Sequence, residues 1–259
     1  MDRWIPSPEP NRISSRLPKI VFLDAGGTLL HVWPSVGYVY AEAAARHGVL
    51  VPPASVDRAF RAAWDRSLDR RCASRHSTSD DVLREDWRII VRESFSGLLP
   101  PEKEPRLFTE LYERFTGPEP WSVAEGVLET LAELRGAGIA LGVLSNWDSR
   151  LHQTLAALGL THFFDHFIIS YEVGLEKPHP GIFLDAARQA GVRPAEILMV
   201  GDSLDQDILP AHRLGWQAVW VRPKPCSATK VDVPVGVTII EDLRELTQKL
   251  RRPFVEKSQ

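Results

Sequence analysis

A chain of 259 residues with 44% hydrophobic content can bury a substantial core, either as one large domain or as a core carrying an insertion. Its net charge of −3, with acidic and basic residues intermixed, lacks the basic footprint of a nucleic-acid binder. No apolar run approaches membrane-spanning length and the N-terminal stretch has no signal-like centre, so the expectation is a cytoplasmic globular protein with neither membrane nor nucleic acid as partner.

Residues 1–17, rich in proline, serine and arginine and without periodicity, read as a flexible tail. A first strand is predicted from Lys19 to Leu23, running into Asp24 and the glycine turn of "DAGGTL". From about 33 to 117 the pattern is helical, with Val36, Val39, Tyr40, Ala43 and Ala44 on one face. Ser55 stands where it could cap a helix carrying Val56, Ala59, Phe60 and Ala63. Leu83, Trp87, Ile90, Val91 and then Leu107, Phe108, Leu111, Phe115 repeat the spacing, and Trp64 and Trp87 read as core of this insertion. It shows no strand signal; "PPEKEP" at 100–105 is a loop inside it and "TGPEP" at 116–120 ends it.

After Val123, helices and short apolar strands alternate: a helix to Arg135, strand "IALGVLS", helix 148–158, strand "FIIS", helix 181–190, strand "ILMVG", helix 207–214, strands "AVWV" and "VTII", and a last helix. This order implies right-handed βαβ units and a parallel sheet covered on both faces. The expected fold is α/β, a doubly wound parallel-sheet core formed by 18–32 and 118–259 with an all-helical insertion at 33–117. Cys72 and Cys226 are far apart and in no metal-ligand spacing, so neither a disulfide framework nor a thiol nucleophile is expected.

In such sheets ligands bind at the carboxyl ends of the strands. Those ends carry Asp24 and Thr28, Ser145 and Asn146, Lys177, and Asp202 and Asp207. Acids, hydroxyls and a lysine brought to one crevice fit phosphoryl transfer, where an aspartate attacks phosphorus once cations offset the crowding of negative charge. Mg²⁺ held by Asp24 and Asp202 would serve, with Lys177 as a second positive charge. Ser145, Thr28 and backbone N–H groups of the "GGT" turn could then donate to the transferring group.

The four motifs "DAGGTL", "VLSN", "EKP" and "GDSLDQD", in this order over about 19–32 and 118–225, resemble those of the haloacid dehalogenase superfamily of hydrolases. The resemblance implies a Rossmann-like core and a helical cap at 33–117. It implies catalytic roles for Asp24 as nucleophile, Ser145 and Lys177, and phosphate contacts from Thr28, Ser145, Asn146 and Lys177. It also implies a Mg²⁺ site of Asp24, the Gly26 carbonyl, Asp202 and Asp207, in a monomer or homodimer acting on a small phosphorylated metabolite. Gly26 departs from the pattern, because the superfamily's phosphatases usually carry there a second aspartate that protonates the leaving oxygen.

Plainer readings stand beside these. Asp24 could be a turn residue, Lys177 a solvated lysine, Ser145 and Asn146 helix caps, and Asp207 an acid favoured by a helix N-terminus. His31 is either a partly exposed linker residue or a substitute acid. Halide displacement from carbon would not need the retained "GDSLDQD". Phosphonate cleavage would need an insert lysine, yet none lies between Trp33 and Pro101, and Lys103 sits in a proline-bounded loop. A catalytically weak interaction module is the remaining alternative.

Overall fold

The computed structural model describes residues 17–74, 76–222 and 232–251. The expected tail, apart from Leu17, and Cys226 lie outside them. Strand β1 (Ile20–Leu23) is buried on both faces, which is why it reads as an unbroken apolar run. A tight turn leads to β2 (Leu30–Val32), which pairs antiparallel with β3 (Trp121–Val123) in a two-stranded ribbon. Between the ribbon's strands stand α1 (Val36–Arg46), α2 (Pro53–Ala73), α3 (Asp80–Ser94) and α4 (Glu104–Arg114).

From β3 the chain alternates through α5 (Val127–Gly136), β4 (Ala140–Ser145), α6 (Arg150–Ala157), β5 (His166–Ile169), the single turn α7 (Ser170–Val173) and α8 (Pro180–Ala190). It continues through β6 (Ile197–Gly201), α9 (Leu209–Arg213), β7 (Gln217–Val221), β8 (Val237–Ile240) and α10 (Arg244–Arg251). The six longer strands form one parallel sheet in the order β5-β4-β1-β6-β7-β8. The winding reverses at β1, with β4 on one side and β6 on the other, so the loops leaving these three strands part around a crevice.

Alternate residues of β1 feed two different cores. Val21 and Leu23 join Val127, Leu131, Leu151, Leu155 and Leu246 on one face of the sheet. Ile20 and Phe22 join Ile182, Phe183, Ala211 and Trp216 on the other. The insertion has its own core, built from Val39, Tyr40, Val56, Val91, Leu107 and Leu111. Tyr40 is fully buried in it, and burial pushes its hydroxyl pKa far above the usual range.

Helix α1 is capped by the Ser35 hydroxyl, which accepts from Tyr38 N–H at 3.1 Å, and α3 likewise by Ser79. Asp57 on α2 ties this end of α1 down, accepting from Ser35 Oγ at 2.8 Å and from Gly37 N–H at 2.6 Å. Asp57→Ala is therefore expected to lower unfolding free energy by about 1–2 kcal/mol, read as a lower denaturation midpoint with early loss of amide protection in α1.

Several sequence expectations need correction. Ser55 does not cap α2, because Pro53, with its φ already helical, starts the helix two residues earlier, after Pro52. The β2–β3 ribbon was not expected. The predicted helix 207–214 is split into a π-helical turn at Leu204–Ile208 and the short α9. The helices of the insertion also touch the sheet domain away from the ribbon. Thr78 N–H donates to Gly174 O at 3.1 Å, Glu176 N–H to His76 O at 2.8 Å, and Ser149 N–H to Asp80 Oδ1 at 2.8 Å. No helix among the described residues is long and apolar enough to cross a membrane.

Candidate active site

Asp24 takes the backbone straight out of β1, its N–H donating to Val200 O at 3.0 Å. Its Oδ1 accepts from Ser145 Oγ at 2.9 Å and from Lys177 Nζ at 2.7 Å, while Oδ2 has no donor among the described residues. The Lys177 ammonium uses its remaining protons on Asp207 Oδ1 at 2.5 Å and Leu144 O at 2.9 Å. Burial works against that ammonium, but the carboxylates of Asp207 and Asp24 outweigh it and hold the pKa above the usual lysine range. The plain reading of Lys177 as a solvated lysine is thus excluded: its side chain is 2% exposed.

Asp202 and Asp207 complete the cluster, one ligand oxygen of each lying within 4.8 Å of the others and of Asp24's. Asp207 sits inside the π-helical turn, where the extra residue per turn lets its Oδ2 accept from Ser203 N–H at 3.0 Å while Oδ1 faces Lys177. Asp202 is exposed and lines the cavity. Burial, then the charges of Asp24 and Asp207, push its pKa up to about 7. Burial and the Asp24 charge also raise that of Asp207 against the pull of Lys177. Three carboxylates gather around a single ammonium, and this excess of negative charge is what a divalent cation would relieve.

The glycine turn is shaped by the same cluster. Gly27 adopts φ +85°, and a Cβ there would collide with the Asp202 carboxylate. Gly26 lies outside the left-handed region, and a Cβ built on it would stand 3.3 Å from Trp147 Cζ3.

Three of the expected phosphate contacts look different in the structure. Asn146 lines the cavity, but its amide clasps the backbone of Lys177, donating to Lys177 O at 2.8 Å and accepting from Lys177 N–H at 2.7 Å. A further, longer contact runs from Asn146 Nδ2 to Gln206 Oε1 at 3.4 Å. The Gly27 N–H closes the turn onto Leu30 O at 2.8 Å and is therefore taken. Thr28 is buried off the cavity lining, and its hydroxyl has no partner within the described chain.

Above the cluster, between sheet and helical insertion, opens a cavity of about 690 Å³. His31 on β2 lines it, and burial lowers the imidazole pKa. Trp64 and Trp87, both half-buried, line it too, and Trp87 also packs against the insertion's core as its spacing implied. Trp147, immediately after the "SN" of the second motif, and Gln206 were not singled out by the sequence reading. Only the position of Trp147 beside that motif could have flagged it.

A haloacid dehalogenase-like hydrolase family model matches residues 18–215. Haloacid dehalogenase-like hydrolase domain-containing protein 3 of Danio rerio is 32% identical over 234 residues, 89% of this chain and 96% of that protein. A glyceraldehyde 3-phosphate phosphatase of Methanopyrus kandleri is 37% identical over 163 residues, covering 56% of this chain and 67% of its own. Among solved structures, a HAD phosphatase from Thermococcus onnurineus aligns over 90% of this chain and 98% of its own with TM-score 0.62 and 28% identity. An L-2-haloacid dehalogenase from Xanthobacter autotrophicus aligns over 91% and 99% with TM-score 0.71, and at 21% identity it speaks to the fold alone. With the sheet order, the strand-end residues and the family match in agreement, this chain belongs to the haloacid dehalogenase-like hydrolases.

Proposed function

We propose that the enzyme hydrolyses a small phosphorylated molecule in two displacements at Asp24. The observation that carries this is the carboxylate of Asp24, pinned through Oδ1 by Ser145 and Lys177 with Oδ2 free, beside two more carboxylates. Oδ2 forms a bond to phosphorus as the bond to the leaving oxygen breaks, the electron pair departing with that oxygen. Water then attacks phosphorus as the Asp24 Oδ2–P bond breaks, its proton passing through solvent to the departed oxide, so that the Asp24 carboxylate is restored and inorganic phosphate is released. Lys177 stabilises charge on the transferring group, and Asn146 and Leu144 O keep the ammonium in place. Asp24, Asp202, Asp207 and the Gly26 carbonyl would hold Mg²⁺, which when bound supplies charge neutralisation for the approach of two anions. The relatives named as phosphatases support the reaction class.

Halide displacement fits less well, since three clustered carboxylates would only repel a departing anion unless a cation joined them. Lys103, the one insert lysine considered for a Schiff base, is not on the cavity lining. The test is release of phosphate from acetyl phosphate and 4-nitrophenyl phosphate with and without Mg²⁺. Metal-dependent release is expected, and none from either compound would sink the reading.

Asp202→Ala should weaken Mg²⁺ binding by about 100-fold, the upper end of what even an outer-shell partner contributes. The metal-free melting temperature should hold or rise, because one of three repelling carboxylates is gone. Unchanged calorimetric Mg²⁺ affinity would remove Asp202 from the metal site.

A further inference from the structure

The wall of the cavity facing the acidic cluster is a continuous arc of rings. Phe60 and Trp64 on α2 stack with centroids 6.1 Å apart, and Trp64 meets Trp87 of α3 edge-on at 6.3 Å. Trp87 meets Phe115 at 6.2 Å, Phe115 meets Trp121 of β3 at 5.5 Å, and Trp121 meets Trp147 at 5.2 Å. All six rings line the cavity. Trp147 ends the arc directly against Gly26, so it leads from the helical insertion to the turn that follows the nucleophile.

The charged groups on this wall are already satisfied. Arg71 bonds Asp86 through Nε at 3.2 Å and Nη2 at 3.1 Å, stands 3.6 Å from Glu176 and lies over the Trp64 ring at 5.0 Å. Arg150 is held by Asp148 at 2.6 Å and stacks on Tyr112 at 3.8 Å. Neither guanidinium is left for a second anionic group on a ligand. Ser203 Oγ accepts from Gln206 N–H, and Asn146 is engaged by Lys177. Among the described residues the polar groups on this wall without a hydrogen bond are the His31 imidazole and the indole N–H groups of Trp64, Trp87 and Trp147, the last three being single donors on flat rings. A polyhydroxylated organic group would lose water there for too few partners, and each unmatched hydroxyl would weaken binding.

From this we infer that the substrate is a phosphate ester whose organic group is flat and aromatic, carries no second anion, and is held by the ring arc of Phe60, Trp64, Trp87 and Trp121. The volume suits a one- or two-ring group. Stacked and edge-to-face contacts with such rings add attraction beyond burial alone. The missing side chain at Gly26 agrees independently. An aryl oxide departs without a proton, so the enzyme that selects one can dispense with a positioned acid.

The inference rests on the phosphoryl-transfer reading, and the test separates the two. Mg²⁺-loaded enzyme is titrated with 1-naphthylmethylphosphonate and with 3-hydroxypropylphosphonate, which share the anionic end and cannot be hydrolysed; calorimetry gives affinity and tryptophan emission reports on the cavity wall. The naphthyl compound should bind on the order of 10²-fold tighter and quench the emission. Trp64→Ala should cut the affinity ratio about tenfold, and Trp64→Phe should restore most of it. Equal affinities, or a ratio unmoved by Trp64→Ala, would overturn the aromatic preference while leaving the phosphate site in place. Binding of neither phosphonate would overturn the phosphoryl-transfer reading as well.

Discussion

Asp24→Asn is expected to lower turnover of every phosphate ester by about 10⁴-fold or more, with the fold intact. The amide is neutral and a poor nucleophile, so the bond to phosphorus is not made, whatever the leaving group. Its oxygen can still accept from Ser145 and Lys177, and Lys177 keeps its contacts with Asp207 and Leu144 O. No charge is stranded, so the melting temperature should move by only a few degrees at most. Rapid-quench assay of a highly purified variant beside wild type, with circular dichroism of both, checks the two halves. Undiminished turnover would end the case for Asp24 as nucleophile.

The second large effect is a gain. Gly26→Asp is expected to raise turnover of alkyl phosphates up to about 10²-fold, the low end of what a positioned general acid supplies, and to leave aryl phosphates nearly unchanged. An alkoxide leaves only with a proton, whereas an aryl oxide leaves without one. The backbone at Gly26 is in a region that side-chain residues adopt, and the new Cβ requires only that the Trp147 ring yield by a few tenths of an ångström. Substitution at the adjacent Gly27 would instead combine a left-handed φ with a collision against Asp202, so it makes a negative control.

His31, on the cavity lining, is the group that the sequence offered in the acid's place. Burial lowers its pKa, leaving it unprotonated at neutral pH and better suited to accept a proton from attacking water than to donate one. Wild-type enzyme that already turns over alkyl and aryl esters equally would contradict this account of Gly26. His31→Ala would then be the variant to measure, with a selective loss on alkyl esters if it donates.

How much of this was readable in the residues depends on the distance over which each feature is encoded. Strands β6 and β8 occupy the positions expected, 197–201 and 237–240, since a strand buried on both faces announces itself as a short apolar run between turn residues. The ribbon escaped because three residues, with only Leu30 buried in β2, are too few for a period to show. The acids, serine and lysine were legible because each stands just past a strand end, and the winding of the sheet gathers strand ends without further instruction.

The role of Asn146 was not legible, since the backbone it clasps lies 31 residues on and nothing local marks it. Nor was that of Trp64 and Trp87. A helical spacing says that residues share a face, not whether that face meets other side chains or an open space that a ligand fills.

The ribbon has a consequence for how such a molecule can change over evolutionary time. The four helices leave the sheet domain along β2 and return along β3, and Trp33 N–H donating to Pro120 O at 2.9 Å closes the far edge, so exit and re-entry stand side by side. A segment hung from adjacent points is a cassette. It can be lengthened, trimmed or exchanged without altering the register of any strand in the sheet, because no strand of the sheet runs through it. The strand-end residues and the helical part of the cavity wall are thereby written on separable stretches of the gene. Selection can rework the aromatic side chains of α2 and α3 while the acids, serine and lysine at the strand ends are inherited untouched.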